Sequence, residues 1–291
     1  MRLRQVPILT AVLRVAVVVL WPAVMAAQPI LCPQEPEPAR VRPFITDDAR
    51  VVGAGLSQIE AWSRSDRETA QFWLLGATGP TSRLELTLGG VVGVERDVVA
   101  AKEPTAGRLT YALPLLQGKA LLRPYEPGRG PGLALVGGTF LPQGRGFLKL
   151  PGYGTFAFGV VTQALAREWS ATERAPDPPL FHVNVGINRL WVGDAPDETV
   201  ATWGVGTQFH VAAGAHVVGE LFSGDPYVPG SGTAWQGGVR QFLSERLQLD
   251  ATMGRGVGGS NPLPLWWSAG VRIVVGSGRG HGADTHRRTL R

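Results

Sequence analysis

The sequence predicts an all-β chain, a single antiparallel transmembrane β-barrel of about twelve strands with ten as the alternative, preceded by a cleaved signal peptide. Three observations predict it. From Leu56 onward, apolar residues alternate with small or polar ones in segments separated by Gly-, Pro-, Asp- and Ser-rich breaks. No segment sustains the i, i+3, i+4 spacing of an amphipathic helix, and after the leader no apolar run is long enough to span a bilayer as a helix. The leader itself has the layout of an export signal.

In that leader, residues 1–27, the only charges are Arg2, Arg4 and Arg14, followed by an apolar run from Val15 to Val24 and the small residues Ala23, Ala26 and Ala27. Basic, apolar, then small is the order of a secretory signal peptide, with cleavage expected between Met25 and Gln28. Residues 28–53 are proline-rich and end in the cluster Thr46, Asp47 and Asp48, which reads either as a periplasmic linker or as a plug tucked into the barrel lumen. The barrel is expected over 54–276, with a polar, basic tail over 277–291.

The expected strands cover 56–64, 70–77, 83–94, 115–124, 131–141, 153–168, 180–192, 200–211, 215–223, 232–242, 246–254 and 265–275. In the segment 247–254, Leu247, Leu249, Ala251 and Met253 share one face, and Gln248, Asp250, Thr252 and Gly254 the other. The same separation sets Phe181, Val183, Val185 and Ile187 against His182, Asn184, Gly186 and Asn188. Pro114 and a change of face near Gln117 in 109–124 leave the ten-strand count open. A soluble β-sandwich shows the same alternation with its apolar face turned inward. Aromatics near strand ends (Trp62, Trp73, Tyr153, Trp169, Trp191, Trp203, Trp235, Trp266 and Trp267) favour the lipid-facing alternative, as an interfacial girdle. The connections agree, being mostly short from even to odd strands and longer from odd to even.

Charge excludes one class of partner. The chain carries 28 Lys and Arg against 23 Asp and Glu, but removing the leader and the tail leaves 21 against 22. A nucleic-acid binder would hold its basic patch on the folded body. Cys32 is the only cysteine, so no intrachain disulfide forms.

Arg42-Pro43-Phe44-Ile45-Thr46-Asp47-Asp48-Ala49-Arg50, followed by Gly55-Leu56-Ser57-Gln58-Ile59-Glu60, resembles the start of the outer-membrane family named for the MetA pathway of phenol degradation. Gly132 to Pro142, His216 to Phe222, Gly237 to Arg240 and Leu247 to Asp250 resemble its later strands, so the likeness spans about 42 to 275. The resemblance implies an outer-membrane location and passage of aromatic or other hydrophobic compounds. Unlike many such barrels, the chain does not end on a terminal aromatic, because the polar tail follows the last strand.

Charged and polar residues on the non-apolar faces form the candidate lumen lining: Glu60, Glu85, Lys119, Arg123, Gln163, Arg167, His210, His216, Glu220, Arg240, Asp250 and Arg272. On the lipid face near midplane such a charge would cost about 2–4 kcal/mol. The lining either guides a solute or fills a closed core, with Glu220–Arg240 and Asp250–Arg272 as internal pairs. Gly254-Arg255-Gly256-Val257-Gly258-Gly259 matches G-x-G-x-x-G, but the following Ser260 to Pro264 supplies no helix to face a pyrophosphate, so it reads as a loop. No catalytic residue, metal site or cofactor is expected. The leading functional reading is a channel or transporter, with outer-membrane lipid and the barrel-assembly machinery as partners. A non-conducting structural or surface-interaction barrel, a periplasmic β-sandwich binding protein and a lipid-acting barrel enzyme using His182, His210 or His216 are the alternatives.

Overall fold

A computed structural model describes residues 45–96, 107–125, 130–165, 178–193, 198–225, 231–259 and 262–276. The expected signal peptide, most of the segment before strand one, Trp169, Arg167 and the tail lie outside the described residues. Twelve strands follow in order: β1 Ser57–Ser65, β2 Thr69–Thr81, β3 Leu84–Glu95, β4 Leu109–Arg123, β5 Gly132–Arg145, β6 Tyr153–Ala164, β7 Leu180–Trp191, β8 Glu198–Ala212, β9 Ala215–Ser223, β10 Thr233–Ser244, β11 Leu247–Gly256 and β12 Trp266–Val275. A three-residue 3-10 turn, Gly146–Leu148, follows β5. Each strand pairs antiparallel with its neighbours in sequence, and β12 pairs with β1, with Glu60 opposite Arg272 and Trp62 opposite Gly270. The sheet closes on itself and has no edge.

Closure meets the alternation in an inverted sense. On β7, Val185 is 64% exposed on the outside, whereas its neighbours His182 and Asn184 point inward and are buried. On β10 and β11, Val239 and Leu249 are exposed, while Arg240, at 1% exposure, Gln248 and Asp250 are buried. Apolar side chains outside and charged ones inside are the reverse of a soluble sandwich, whose sheets pack apolar face to apolar face. Lipid is the solvent that accepts this surface, and closure pairs the backbone groups that lipid cannot hydrogen-bond.

The structure has twelve strands rather than ten. β4 runs as one strand from Leu109 through Pro114 to Arg123, and its inward face changes from Thr110 and Ala112 to Leu115, Gln117 and Lys119. The change falls at Pro114, slightly before the position near Gln117 expected from the sequence. Two-residue connections at 82–83, 213–214 and 245–246 gather at the end of the barrel that also holds the start of β1 and the end of β12. That end is called the turn end below, and the opposite one the loop end. Three connections depart from the parity: 165–179 and 124–131 are long at the turn end, and 66–68 is short at the loop end.

The girdle needs correction. Trp267, Tyr153 and Trp235 are exposed on the outer surface, but Trp62, Trp73 and Trp266 point into the barrel, where Trp73 and Trp266 are buried. Strand parity explains this, since Trp62 shares its face with Glu60, and Trp73 with Gln71 and Leu75.

Candidate functional site in the barrel lumen

An extended stretch of chain inside a barrel has no strand to pair with, so its backbone groups must find side-chain partners. Residues 45–53 show this arrangement. The backbone N–H groups of Ile45 and Thr46 donate to the two carboxylate oxygens of Glu220, at 3.0 and 2.7 Å. With its carboxamide oriented to satisfy both ends, Asn184 donates to the Asp47 carbonyl at 3.1 Å and accepts from the Asp47 N–H at 2.6 Å. The Ala49 N–H donates to Thr162 Oγ1 at 2.8 Å, and that hydroxyl lies 3.0 Å from His182 Nδ1. The Val52 N–H donates to Glu85 Oε2 at 2.8 Å.

The segment's own acids are held from the wall. Lys119 Nζ donates to Asp47 Oδ1 at 3.0 Å and lies 3.7 Å from Asp48 Oδ1, while Arg50 pairs with Asp48 at 3.0 Å. Burial alone would raise the Asp48 carboxyl, but Arg50 and Lys119 beside it hold it well below the usual carboxylate range. Two features of the sequence make the path possible. Gly53 and Gly55 adopt positive φ of 89° and 72°, turning the chain out of the lumen into β1. A side chain at Gly204 would collide with Thr46, so the bare backbone there lets the segment lie against β8. Ile45 packs with Phe222, Ala234, Leu263 and Trp266, so the segment reaches from the turn end to the upper lumen.

A second polar group lies along β1, β8 and β10 to β12. Arg272 Nε donates to Gln58 Oε1 at 3.0 Å and lies 3.9 Å from Glu60, and Gln58 Nε2 donates to Glu60 at 2.9 Å. Arg240 Nη1 donates to Gln208 Oε1 at 2.6 Å and sits in register with Asp250. The pairs expected from the sequence are therefore rearranged. Glu220 holds the luminal segment and accepts from Gln236 Nε2 at 2.5 Å, while Arg272 takes Gln58 and Glu60. Buried charges need such partners, since an isolated ion in a low-dielectric interior is strongly disfavoured.

At the loop end lies a cavity of about 340 Å³. Trp73, Phe140, Leu115, Val91, Leu150 and Leu263 form much of its wall, and Arg64, Asp66, Glu68, Lys149 and Glu198 supply its charged groups. Trp73 stacks on Trp62 at 5.4 Å with the rings almost parallel, and its Nε1 donates to Gln71. The Arg64 guanidinium lies 4.5 Å from the centre of the Trp266 ring and 3.7 Å from Asp66.

Of the lumen-lining residues expected from the sequence, Glu60, Glu85, Lys119, His216, Glu220, Arg240, Asp250 and Arg272 are inward and buried. His210 also faces inward, half-buried, with its ring 4.9 Å from that of His216. Gln163 does not line the lumen: on β6 the buried position is Thr162, and Gln163 lies on the opposite face. Arg123 is exposed at the turn end of β4, past a register break between Leu121 and Arg123. Thr46, Asp47 and Asp48 are all buried within the barrel. The glycine-rich stretch 254–259 spans the end of β11 and the connection after it, and among the described residues no helix follows. A search by charge misses the neutral partners Asn184, Thr162, Gln58, Gln208 and Gln236, although strand parity places each on an inward face.

No protein-family model matches this sequence, and no curated protein matches it. Solved structures do. The chain is similar to an outer-membrane channel from Pseudomonas putida F1, with 11% identity and a TM-score of 0.51 over 83% of this chain and 100% of that one. It also aligns with the KdgM porin in complex with disordered oligogalacturonate, at 7% identity and a TM-score of 0.47 over 74% of this chain and 98% of that one. The NanC porin aligns at 9% identity and a TM-score of 0.47, over 76% and 99%. The fold is that of outer-membrane β-barrels.

Proposed function

We propose that this protein is an outer-membrane channel or transporter for small hydrophobic or aromatic compounds, exported through a cleaved signal peptide and inserted by the barrel-assembly machinery. The observation that carries the reading is the cavity at the loop end. Its volume of about 340 Å³ falls within the range of small-molecule sites, and a mainly apolar wall with a few polar groups is the usual composition of such sites. A passive water-filled porin has no need of the buried Trp73 and Phe140 there. The likeness to the Pseudomonas putida channel supports a conducting barrel, and the resemblance to the phenol-degradation family supports the solute class. Residues 45–53 act as the plug that separates this vestibule from the turn end. Glu85, Lys119 and Glu220 hold that plug, and Arg240, Arg272 and Glu60 are engaged with wall residues rather than forming a ladder for polar solutes.

Entry of the apolar aromatic fluorophore N-phenyl-1-naphthylamine into intact Gram-negative cells tests the reading. Lipopolysaccharide is the barrier in that assay, and the dye fluoresces on reaching membrane lipid. Cells making the protein should take up the dye faster than cells lacking it, and Trp73→Ala should slow that entry. Equal rates with and without the protein would leave the non-conducting structural barrel as the better reading.

A further inference from the structure

The cavity sits on packed apolar side chains and has one irregular side. Leu75, Leu115, Phe140 and Leu150 beneath and beside it form a single apolar cluster that includes Ala49 of the luminal segment. A solute entering from the loop end therefore meets packed side chains below.

The wall beside the cavity differs from the rest of the barrel. β3 and β4 lose register between Gly89 and Val91, which pair with Leu115 and Ala112 respectively. β4 and β5 lose register at the same height, where Leu113 pairs with Gln143 but Leu115 pairs with Phe140. Pro114 thus has no ladder partner on either side and no N–H to offer one, and Pro142 falls in the matching gap on β5. Other register breaks among the described residues lie beside connections at the turn end, at Thr78/Thr81, Leu121/Arg123, His210/Ala212 and Phe242/Ser244. Among the described residues, only this break interrupts the wall away from a connection.

Its two surfaces fit a passage. Inside, Gly90, Val91, Ala112, Leu115 and Phe140, all at or beside the break, line the cavity. Outside, Leu88, Leu113 and Leu116 are exposed, so the lipid-facing surface there is apolar. The Leu113 side chain, with the Ala112 carbonyl beside it, occupies the space that a side chain at Gly90 would need, so one movable group covers much of the seam. Ladder hydrogen bonds are what hold a lipid-embedded wall shut, and irregular backbone at membrane depth persists where it lines a cavity.

We infer that the seam around Gly90, Pro114 and Pro142 is a lateral exit through which small apolar solutes pass from the vestibule into the lipid. The inference rests on the vestibule being an entry site for such solutes. It adds that they leave sideways, so the plug need not move. Local separation of β4 from β5, with rotation of Leu113, opens the route.

A reversible staple tests it. In a Cys32→Ser background, Leu113→Cys with Gln143→Cys places cysteines on paired, outward positions beside the seam. Val217→Cys with Val239→Cys does the same on β9 and β10, where the register is continuous. Dye entry is measured in intact cells before oxidation, after oxidation with copper phenanthroline and after reduction, with heat modifiability confirming folded barrels. Oxidising the 113/143 pair should lower entry to that of cells lacking the protein, reduction should restore it, and oxidising the 217/239 pair should leave it unchanged. Entry that persists with the 113/143 staple closed overturns the lateral exit but not the vestibule. No protein-dependent entry in the unstapled barrel overturns both. Should the cysteine pair fail to assemble, Pro114→Ala with Pro142→Ala takes its place: slower entry is expected, and unchanged entry overturns the exit.

Discussion

The inner surface of this barrel has two unlike halves. Inward positions of β2 to β6 hold Trp73, Leu75, Leu115, Val136, Phe140, Phe156, Phe158 and Val160, many of which pack on one another and on Ala49. Inward positions of β7 to β12 and β1 hold mostly polar residues, among them Asn184, Gln208, Glu220, Gln236, Arg240, Gln248, Asp250, Arg272, Gln58 and Glu60. The outer surfaces of both halves are similarly apolar. Lipid sets a uniform requirement outside, whereas each inner wall answers to what it faces. The apolar half forms a packed core and a vestibule; the polar half holds the backbone at the head of the luminal segment and keeps its own charges matched. Among the described residues, Glu85, Lys119 and Thr162 connect the apolar half to that segment by polar contacts, and all lie near the turn end.

Four changes act on the two halves differently, the largest expected effect coming first. Deleting 28–50 removes the segment both halves hold, and single-channel conductance in planar bilayers should rise well above that of the intact protein. Unchanged conductance would mean that the walls alone close the lumen. Next, Lys119→Ala takes the ammonium away from the buried Asp47 carboxylate and should cost about 3–5 kcal/mol, read as a lower denaturant midpoint for loss of heat modifiability. Val185→Arg, on the lipid face of the polar half, should cost about 2–4 kcal/mol if the residue lies near midplane. A cost near zero there would argue against lipid outside β7. Glu220→Ala removes the acceptor of the Ile45 and Thr46 N–H groups and should cost about 1–3 kcal/mol per orphaned donor, with noisier single-channel current as the plug's head loosens.

Much of the wall is legible in the amino-acid sequence. On β7, β8, β11 and β12 the alternation separates the faces residue by residue, because side chains on a strand have a strict period of two. That period also explains the errors. Polarity alone points to Gln163 and Arg123, yet one lies a position out of phase with Thr162 and the other follows a register break. Residue type and nearness to strand ends point Trp62, Trp73 and Trp266 to the outer girdle. Their faces are instead shared with Glu60, with Gln71 and, across the β11–β12 pair, with Gly254, which places all three inside. The face switch on β4 is visible as a disturbance around Pro114, but whether it ends a strand or bends one depends on what β3 and β5 do beside it.

By itself, then, the sequence determined the strands and which residues share a face, since both follow from local geometry and alternation. Tertiary structure decided which face is inside, because that depends on the sheet closing between β1 and β12. It also decided that 45–53 runs through the lumen and that Glu220 serves that segment instead of Arg240. The last two choices bring together residues up to 175 positions apart, and nothing in local spacing selects one distant partner over another.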